Sequence, residues 1–252
     1  MRWLLVAAAG ILLLPGCGAS DPNRDANLIA SAIADLDATG ASFTMDELIV
    51  ETERGQKPTA GNEVEVQSTG TVRDGRAQMK LALIVPGGER DYDAVIADRL
   101  MYVRPQGAPR WRATTVDDAT AEMAGLRLQL IREAALLARS VSGASLAISD
   151  LTFVQKYSFE PASEQLEQLL SATVNGAQET AFLKSAAVRV DAFLTAPENK
   201  LTRLDLHQQG TDPASGLQQK ISSRIDYSTA QPVGAIKPPA EADMVDSATI
   251  FN

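Results

Sequence analysis

Residues 64–85 constrain the fold more than any other stretch. In Val64, Val66, Ser68, Gly70 and Val72, and again in Ala77, Met79, Leu81, Leu83 and Val85, every second residue falls on one side of an extended chain, which is the period of a half-buried β-strand. Between the two runs stands Asp74-Gly75, a dipeptide suited to the two positive-φ positions of a type I′ hairpin turn. If these two residues form the whole loop, the register follows: Val72 faces Ala77, Gly70 faces Met79, Ser68 faces Leu81, Val66 faces Leu83 and Val64 faces Val85. All of these pairs share one face. The other face receives Glu65, Gln67, Thr69 and Thr71 opposite Ile84, Ala82, Lys80 and Gln78, a mostly polar and hence solvated surface. A sheet with one apolar face needs another layer to cover it.

The same alternation recurs along the chain. It predicts strands at Ser42 to Glu53, at Tyr92 to Ile96, at Met101 and Val103 after a turn at Asp98-Arg99, and at Trp111. Further strands are expected at Leu146 to Phe159, Val188 to Leu194, Leu201 to Gln208 and Lys220 to Ser228. Helical spacing appears in three places. Leu28, Ile29, Ile33 and Leu36 mark a helix from Arg24 to Leu36, ended near Gly40. A longer one is expected from Asp117 or Asp118 to Val141, with Met123, Leu126, Leu130 and Leu137 among its apolar residues, and a shorter one starts at Pro161. The three prolines between Pro232 and Glu241 make an extended passage. Strands, then helices, then strands describe an α+β domain with helices on one face of an antiparallel sheet of about ten or eleven strands. The apolar side of that sheet holds Val64, Val66, Met79, Leu81, Leu83, Ile96 and Met101.

The chain begins with a separate pattern. Arg2 is followed by the apolar stretch Leu4 to Leu14, the size of a secretory h-region and too short to span a bilayer. Next come Leu14, Pro15, Gly16 and Cys17, and Cys17 is the sole cysteine of 252 residues. A single cysteine makes no internal disulfide, and with one histidine, His207, no cysteine/histidine zinc site can be assembled. The stretch resembles the lipobox of bacterial lipoproteins, with Pro15 an uncommon residue at its position. The resemblance implies that residues 1–16 are a signal peptide and that the Cys17 thiol takes a diacylglyceryl group and becomes the first residue of the mature chain. Residues 17–23 would then be a tether of at most about 20 Å, and residues 24–252 one domain, lipid-anchored to the cell membrane on its extracytoplasmic side.

Beyond the lipobox, the strand pair AVIADRLMYVRP, the strand at Trp111, the helix-rich stretch from Asp117 to Val141 and the closing run IDYSTAQPVGAIKPP resemble the LppX/LprG family of bacterial envelope lipoproteins, which share a LolA-like fold. Asp98-Arg99 departs from the Asp-Gly turn more typical there. The resemblance covers most of the chain. It implies a strongly curved antiparallel half-barrel, closed on its concave side by helices around an apolar cavity for acyl chains of lipids, glycolipids or lipoproteins. The residues placed there as ligand contacts are Val64, Val66, Met79, Leu81, Leu83, Ile96, Met101, Met123, Leu126 and Leu130. An envelope transporter is a further expected partner. The other reading is a lipoprotein that binds a protein partner as a sensor or assembly accessory.

Composition narrows the remaining classes. With 23 basic against 32 acidic residues, and no cluster of Lys and Arg, the chain lacks the basic patch that nucleic acid or an anionic membrane surface requires. Aromatic residues are only 5% of a chain that is 45% hydrophobic, so its interior is aliphatic. No G-x-S-x-G, S-x-x-K, G-x-G-x-x-G or phosphate loop occurs. His207 falls on a predicted strand, where a surface role outweighs a general base, and Asp91 and Asp93 share a strand face without a third ligand. No enzyme activity, cofactor or metal is expected.

Overall fold

A computed structural model describes residues 22–53, 63–98, 100–115, 128–138, 141–149, 152–161, 186–211, 216–245 and 250–251. Helix α1 (Pro22–Thr39) is followed by strands β1 (Ala41–Thr52), β2 (Glu63–Arg73), β3 (Arg76–Val85), β4 (Gly88–Ala97), β5 (Leu100–Pro105) and β6 (Trp111–Thr115). Helix α2 (Leu128–Leu137) leads to β7 (Val141–Ser149), β8 (Thr152–Phe159), β9 (Ala187–Thr195), β10 (Leu201–Thr211), β11 (Gln218–Ser228) and the short β12 (Ala242–Met244). The strands form one open sheet in the order β12-β6-β5-β4-β3-β2-β1-β11-β10-β9-β8-β7. Two meanders, β1 to β6 and β7 to β11, thus meet where β1 pairs with β11.

The Asp74-Gly75 hairpin has the register derived from its alternation: Val72–Ala77, Gly70–Met79, Ser68–Leu81 and Val66–Leu83 are paired. Both turn residues have positive φ, 52° at Asp74 and 70° at Gly75, as a type I′ turn demands. The end of α1 is tied to this turn. Asp37 accepts a hydrogen bond from the Gly75 amide through Oδ1 (2.8 Å) and from the Asp74 amide through its carbonyl (2.9 Å). Gly40, at φ 80°, closes the helix by donating to the Leu36 carbonyl (2.8 Å).

One face of the sheet, the inner face, carries the main core. Along β1 it is formed by Ala41, Phe43, Met45, Glu47 and Ile49, all buried, while Thr44, Asp46 and Leu48 point outward and are exposed. Ile29, Ile33 and Leu36 of α1 and Ile131 and Ala135 of α2 join the same cluster. Helix α1 packs on α2 and touches β2, β10, β9 and β7. An 18-residue helix is about 27 Å long, close to the span of the strand spacings from β2 to β7. The helix therefore lies across the strands, and the sheet curves around it.

On the outer face, Val95, Ala97 and Ile236 form a small second cluster with Tyr102 and Trp111. The proline-rich passage that contains Ile236 is pinned there, since Arg73 Nη1 donates to the Val233 carbonyl (2.5 Å) and Arg76 Nη1 to that of Ile236 (3.0 Å). The chain then returns to the inner side, where the Tyr92 hydroxyl donates to the Phe251 carbonyl (2.7 Å) and the two rings meet edge to face.

Several expectations need correction. The described residues contain twelve strands rather than the ten or eleven expected, because Leu146 to Phe159 belongs to a hairpin of two strands and β12 is added. The sheet is antiparallel except at that edge, where β12 runs parallel to β6. The long helix does not reach Val141. It ends at Leu137, and Val141 is the first residue of β7, buried and paired with Phe159; its β-branched side chain suits a pleated surface better than a last helical turn. Residues 117–127 and the helix expected after Pro161 lie outside the described residues.

Candidate functional site

The inner face is the candidate site. Seven of the ten residues expected to contact a ligand share it. Val66, Met79, Leu81 and Met101 are buried in the main cluster, and Val64, Leu83 and Ile96 are half-buried and packed against it. They are brought together by register: Leu81 pairs with Tyr92 and Met79 with Ala94 across β3–β4, and Ile96 pairs with Met101 across β4–β5. Leu130 lies within α2, while Met123, Leu126 and Cys17 lie outside the described residues.

The central strands of this face are not uniformly apolar. Glu47 and Ser223 are paired across β1–β11, and the Ser223 hydroxyl donates to Glu47 Oε2. Ser68 sits one step away on β2, opposite Met45, and Gln208 one step away on β10, opposite Ile221. All four are buried: Glu47 is 2% exposed, Ser68 3%, Ser223 4% and Gln208 7%. Sequence reasoning passed over Glu47 as a site residue. The signal was present, because the alternation of Phe43, Met45 and Ile49 places Glu47 on their side of the strand and sends Leu48 to solvent.

Two tyrosines of the inner face are held in their neutral form. Burial raises the Tyr227 pKa well above the usual phenol value, with the nearby Asp37 charge adding to the effect. Tyr157 is raised by burial and then by Asp25, against an opposing contribution from Arg24. Its hydroxyl donates to Gln155 Oε1 (2.7 Å).

Away from the Ile236 cluster, the outer face is largely polar. Its shallow grooves are lined by side chains such as Thr44, Gln67, Thr69 and Lys80 in one case and Asp205, His207 and Arg224 in another. His207 is exposed there, on the other side of the sheet from the Glu47–Ser223 pair. Asp93 is ion-paired with Arg104 (2.8 Å). Asp191, only 5% exposed at its side chain, receives Lys156 Nζ (2.7 Å) and Arg189 Nε (3.1 Å). Among the described residues no three His, Cys, Asp or Glu side chains gather into a potential metal site, and no helix is long and apolar enough to cross a membrane.

Fold and face together define an open, single-sheet α+β domain whose helices lie on one apolar face. The structure is similar over most of its length to the crystal structures of LprF from Mycobacterium bovis (12% identity, TM-score 0.44, covering 87% of this chain and 99% of that one) and of the Mycobacterium tuberculosis lipoprotein LppX (11% identity, TM-score 0.47, 85% and 99%). It is also similar to that of an uncharacterized conserved protein from Thermus thermophilus (9% identity, TM-score 0.38, 88% and 99%). No protein-family model and no curated protein matches the sequence.

Proposed function

We propose that the chain is a lipoprotein of the LppX/LprG kind, anchored through Cys17 on the extracytoplasmic side of the cell membrane. In this reading it binds acyl chains of lipids or lipoproteins between the inner face and the helices, and it helps to transfer them within the envelope without catalysing a reaction. The observation that carries the reading is the extent of the inner face. Its buried aliphatic side chains run from Met101 and Val103 on β5 through the central strands to Val141 on β7, with α1 and α2 in the same cluster. At the β2–β4 part of it, Val64, Leu83 and Ile96 remain half-buried. The lipobox resemblance supports the anchor, and since α1 already begins at Pro22 the tether of residues 18–21 reaches at most about 14 Å, which favours handover at the membrane surface, to a transporter or a second carrier.

The test measures co-purified acyl lipid and thermal stability on the same protein, wild type and Val66→Trp. Val66 is 1% exposed at the centre of the face. If acyl chains occupy the space over it, the indole displaces them, and bound lipid falls while the unfolding midpoint changes little. If the face is packed solid by the protein itself, the larger side chain costs about 1–3 kcal/mol, the midpoint drops, and lipid recovery is unchanged or nil in both proteins. The second outcome refutes the carrier reading at this part of the face.

A further inference from the structure

We infer that the last turn of α2, with Leu136 and Leu137, seats itself in the surface of the bilayer that holds Cys17, so that the domain touches its membrane directly as well as through the tether. This contact rests on the anchor proposed above, and it fixes which edge of the domain faces the lipid.

The solvent-facing side of α2 changes character along its length. Gln129 and Arg132 are exposed and Glu133 is half-buried, and Gln129 Nε2 donates to Glu133 Oε1 (3.2 Å). These positions and Leu136 succeed one another at helical spacing, so a stripe that is polar for two turns ends in leucine. Leu136 is 45% exposed and Leu137 41%, while Leu128, Ile131, Ala134 and Ala135 are buried. The helix thus meets the core through other side chains, and the two leucines are left over from that packing. A single exposed leucine is ordinary. Two in succession are harder to account for, because a last helical turn favours Lys, Arg or His and this one carries no basic residue.

Position then selects what covers them. The C-terminal end of α1 is tied to the Asp74-Gly75 turn beside β2, and the helix also touches β7, six strands away, so its N-terminal end is the one over β7. Helix α2 ends shortly before Val141, the first residue of β7, and the chain from Leu137 to that strand spans at most about 14 Å. The start of α1 and the end of α2 therefore share the β7 edge of the domain. Helix α1 begins at Pro22, and residues 18–21 reach at most about 14 Å from Cys17, which holds that edge close to the headgroups. Leucines brought to this depth leave water for the upper acyl region, as the apolar side of an interfacial helix does. Arg132, one turn back, stands where a long cationic side chain can stay in the polar layer. With a formal net charge of −9 the chain is poorly suited to electrostatic adsorption on anionic lipid, which leaves apolar contact as the means of attachment. A second copy of the chain fits less well, since a stable protein interface buries about 800 Å² on each partner, far more than two half-exposed leucines offer.

The full lipidated chain carrying Leu136→Trp is reconstituted in dioleoylphosphatidylcholine vesicles, with and without phosphatidylcholine brominated in its acyl chains, which quenches an indole at contact range. Once residues 1–16 are removed Trp111 is the only native tryptophan, and it gives the background. Leu48→Trp is the matched control, because Leu48 is also 41% exposed but lies on the outer face of β1, away from the helices. In brominated vesicles the emission of Leu136→Trp should fall about twofold relative to unbrominated ones, at the depth of an interfacial helix, while Leu48→Trp and wild type change little. The unfolding midpoints should match wild type, since both positions are exposed. Leu137→Trp is expected to behave like Leu136→Trp and decides the matter if the latter does not fold. Quenching no greater than in Leu48→Trp, in a chain that floats with the vesicles, overturns the contact and leaves the anchor standing. A blue shift without bromine quenching that grows with the protein-to-lipid ratio assigns the leucines to a second copy, and overturns it as well. A chain that does not float with the vesicles removes the anchor, and the contact with it.

Discussion

Gly70 offers a direct test of how tightly the central hairpin is built. A Cβ placed on it would stand 2.1 Å from the Gln78 carbonyl oxygen, 2.7 Å from Met79 Cα and 2.8 Å from Met79 Cβ, against a limit near 3.0 Å for real contacts. The obstacles are chiefly backbone atoms of β3, the strand to which Gly70 is paired, so no side-chain rotation relieves them. Replacing glycine by alanine within a strand ordinarily gains about 0.5–1 kcal/mol by restricting the unfolded chain. Here β3 must retreat by roughly 1 Å, and overpacking costs of about 1–3 kcal/mol outweigh that gain. With a backbone atom at 2.1 Å the cost falls in the upper part of that range, so Gly70→Ala should destabilise by about 1–2 kcal/mol net, at roughly 2–4 °C per kcal/mol in a chain of this size. Gly234 is the internal control. Nothing lies within 4 Å of where its Cβ would stand, and Gly234→Ala should stay within about 0.5 kcal/mol of wild type. Urea unfolding followed by circular dichroism gives both values. A Gly70→Ala protein as stable as Gly234→Ala would refute the argument, since it would mean that the β2–β3 ladder yields at negligible cost.

Two other expectations concern charge and attachment. At Asp191 burial pushes the carboxyl pKa up, but hydrogen bonds from Lys156, Ser158 and Arg189 bring it below its ordinary 3.8; a depressed folded value makes its stabilisation complete above about pH 4 and lost as pH falls through the folded pKa. Asp191→Asn should thus lower the urea midpoint at pH 7 and bring it closer to wild type at pH 3, and a deficit equal at both pH values would contradict this. Cys17→Ser should abolish metabolic incorporation of labelled palmitate, because no other thiol is present to accept a diacylglyceryl group; label retained at the wild-type level would remove the lipobox assignment.

What the sequence disclosed depended on whether a residue's surroundings are local. The β2–β3 register was readable because a two-residue turn fixes it and the alternation on either side agrees. Helix α1 was readable from Ile29, Ile33 and Leu36, although it starts at Pro22 rather than Arg24 and continues to Thr39 beyond Leu36. Strand β7 was not, since Ser142, Gly143, Ala144 and Ser145 carry little apolar signal and the strand owes its form to pairing with β8, with a shift in register between Ser142 and Ser145. Strand β12 is only three residues long and is defined by a partner, β6, far earlier in the chain. The inner-face side chains on β2 to β5 were readable for the same reason as the hairpin. Glu47 was overlooked because a carboxylate is ordinarily assigned to solvent, and only the strand's parity opposes that assignment. Ser223 lies on the alternating face of β11, but its pairing with Glu47 joins strands 176 residues apart, which no local pattern encodes.

The junction of β1 with β11 also governs the order in which the molecule can be assembled. Each meander is made of neighbours in sequence, so either wing can form hairpin by hairpin as the chain emerges. The seam between them is another matter: Ser42 on β1 donates to the Ser228 carbonyl across 186 residues. Until β11 arrives, β1 has one side of its backbone unmatched at what will be the middle of the sheet, an exposed template for pairing with the wrong strand. Long-range closure of this kind is slow compared with hairpin formation. Because a chain is made from its N-terminus, β1 keeps this central edge open until nearly the whole sequence is available, and the β1–β11 pairing is the step at which the two wings become one sheet.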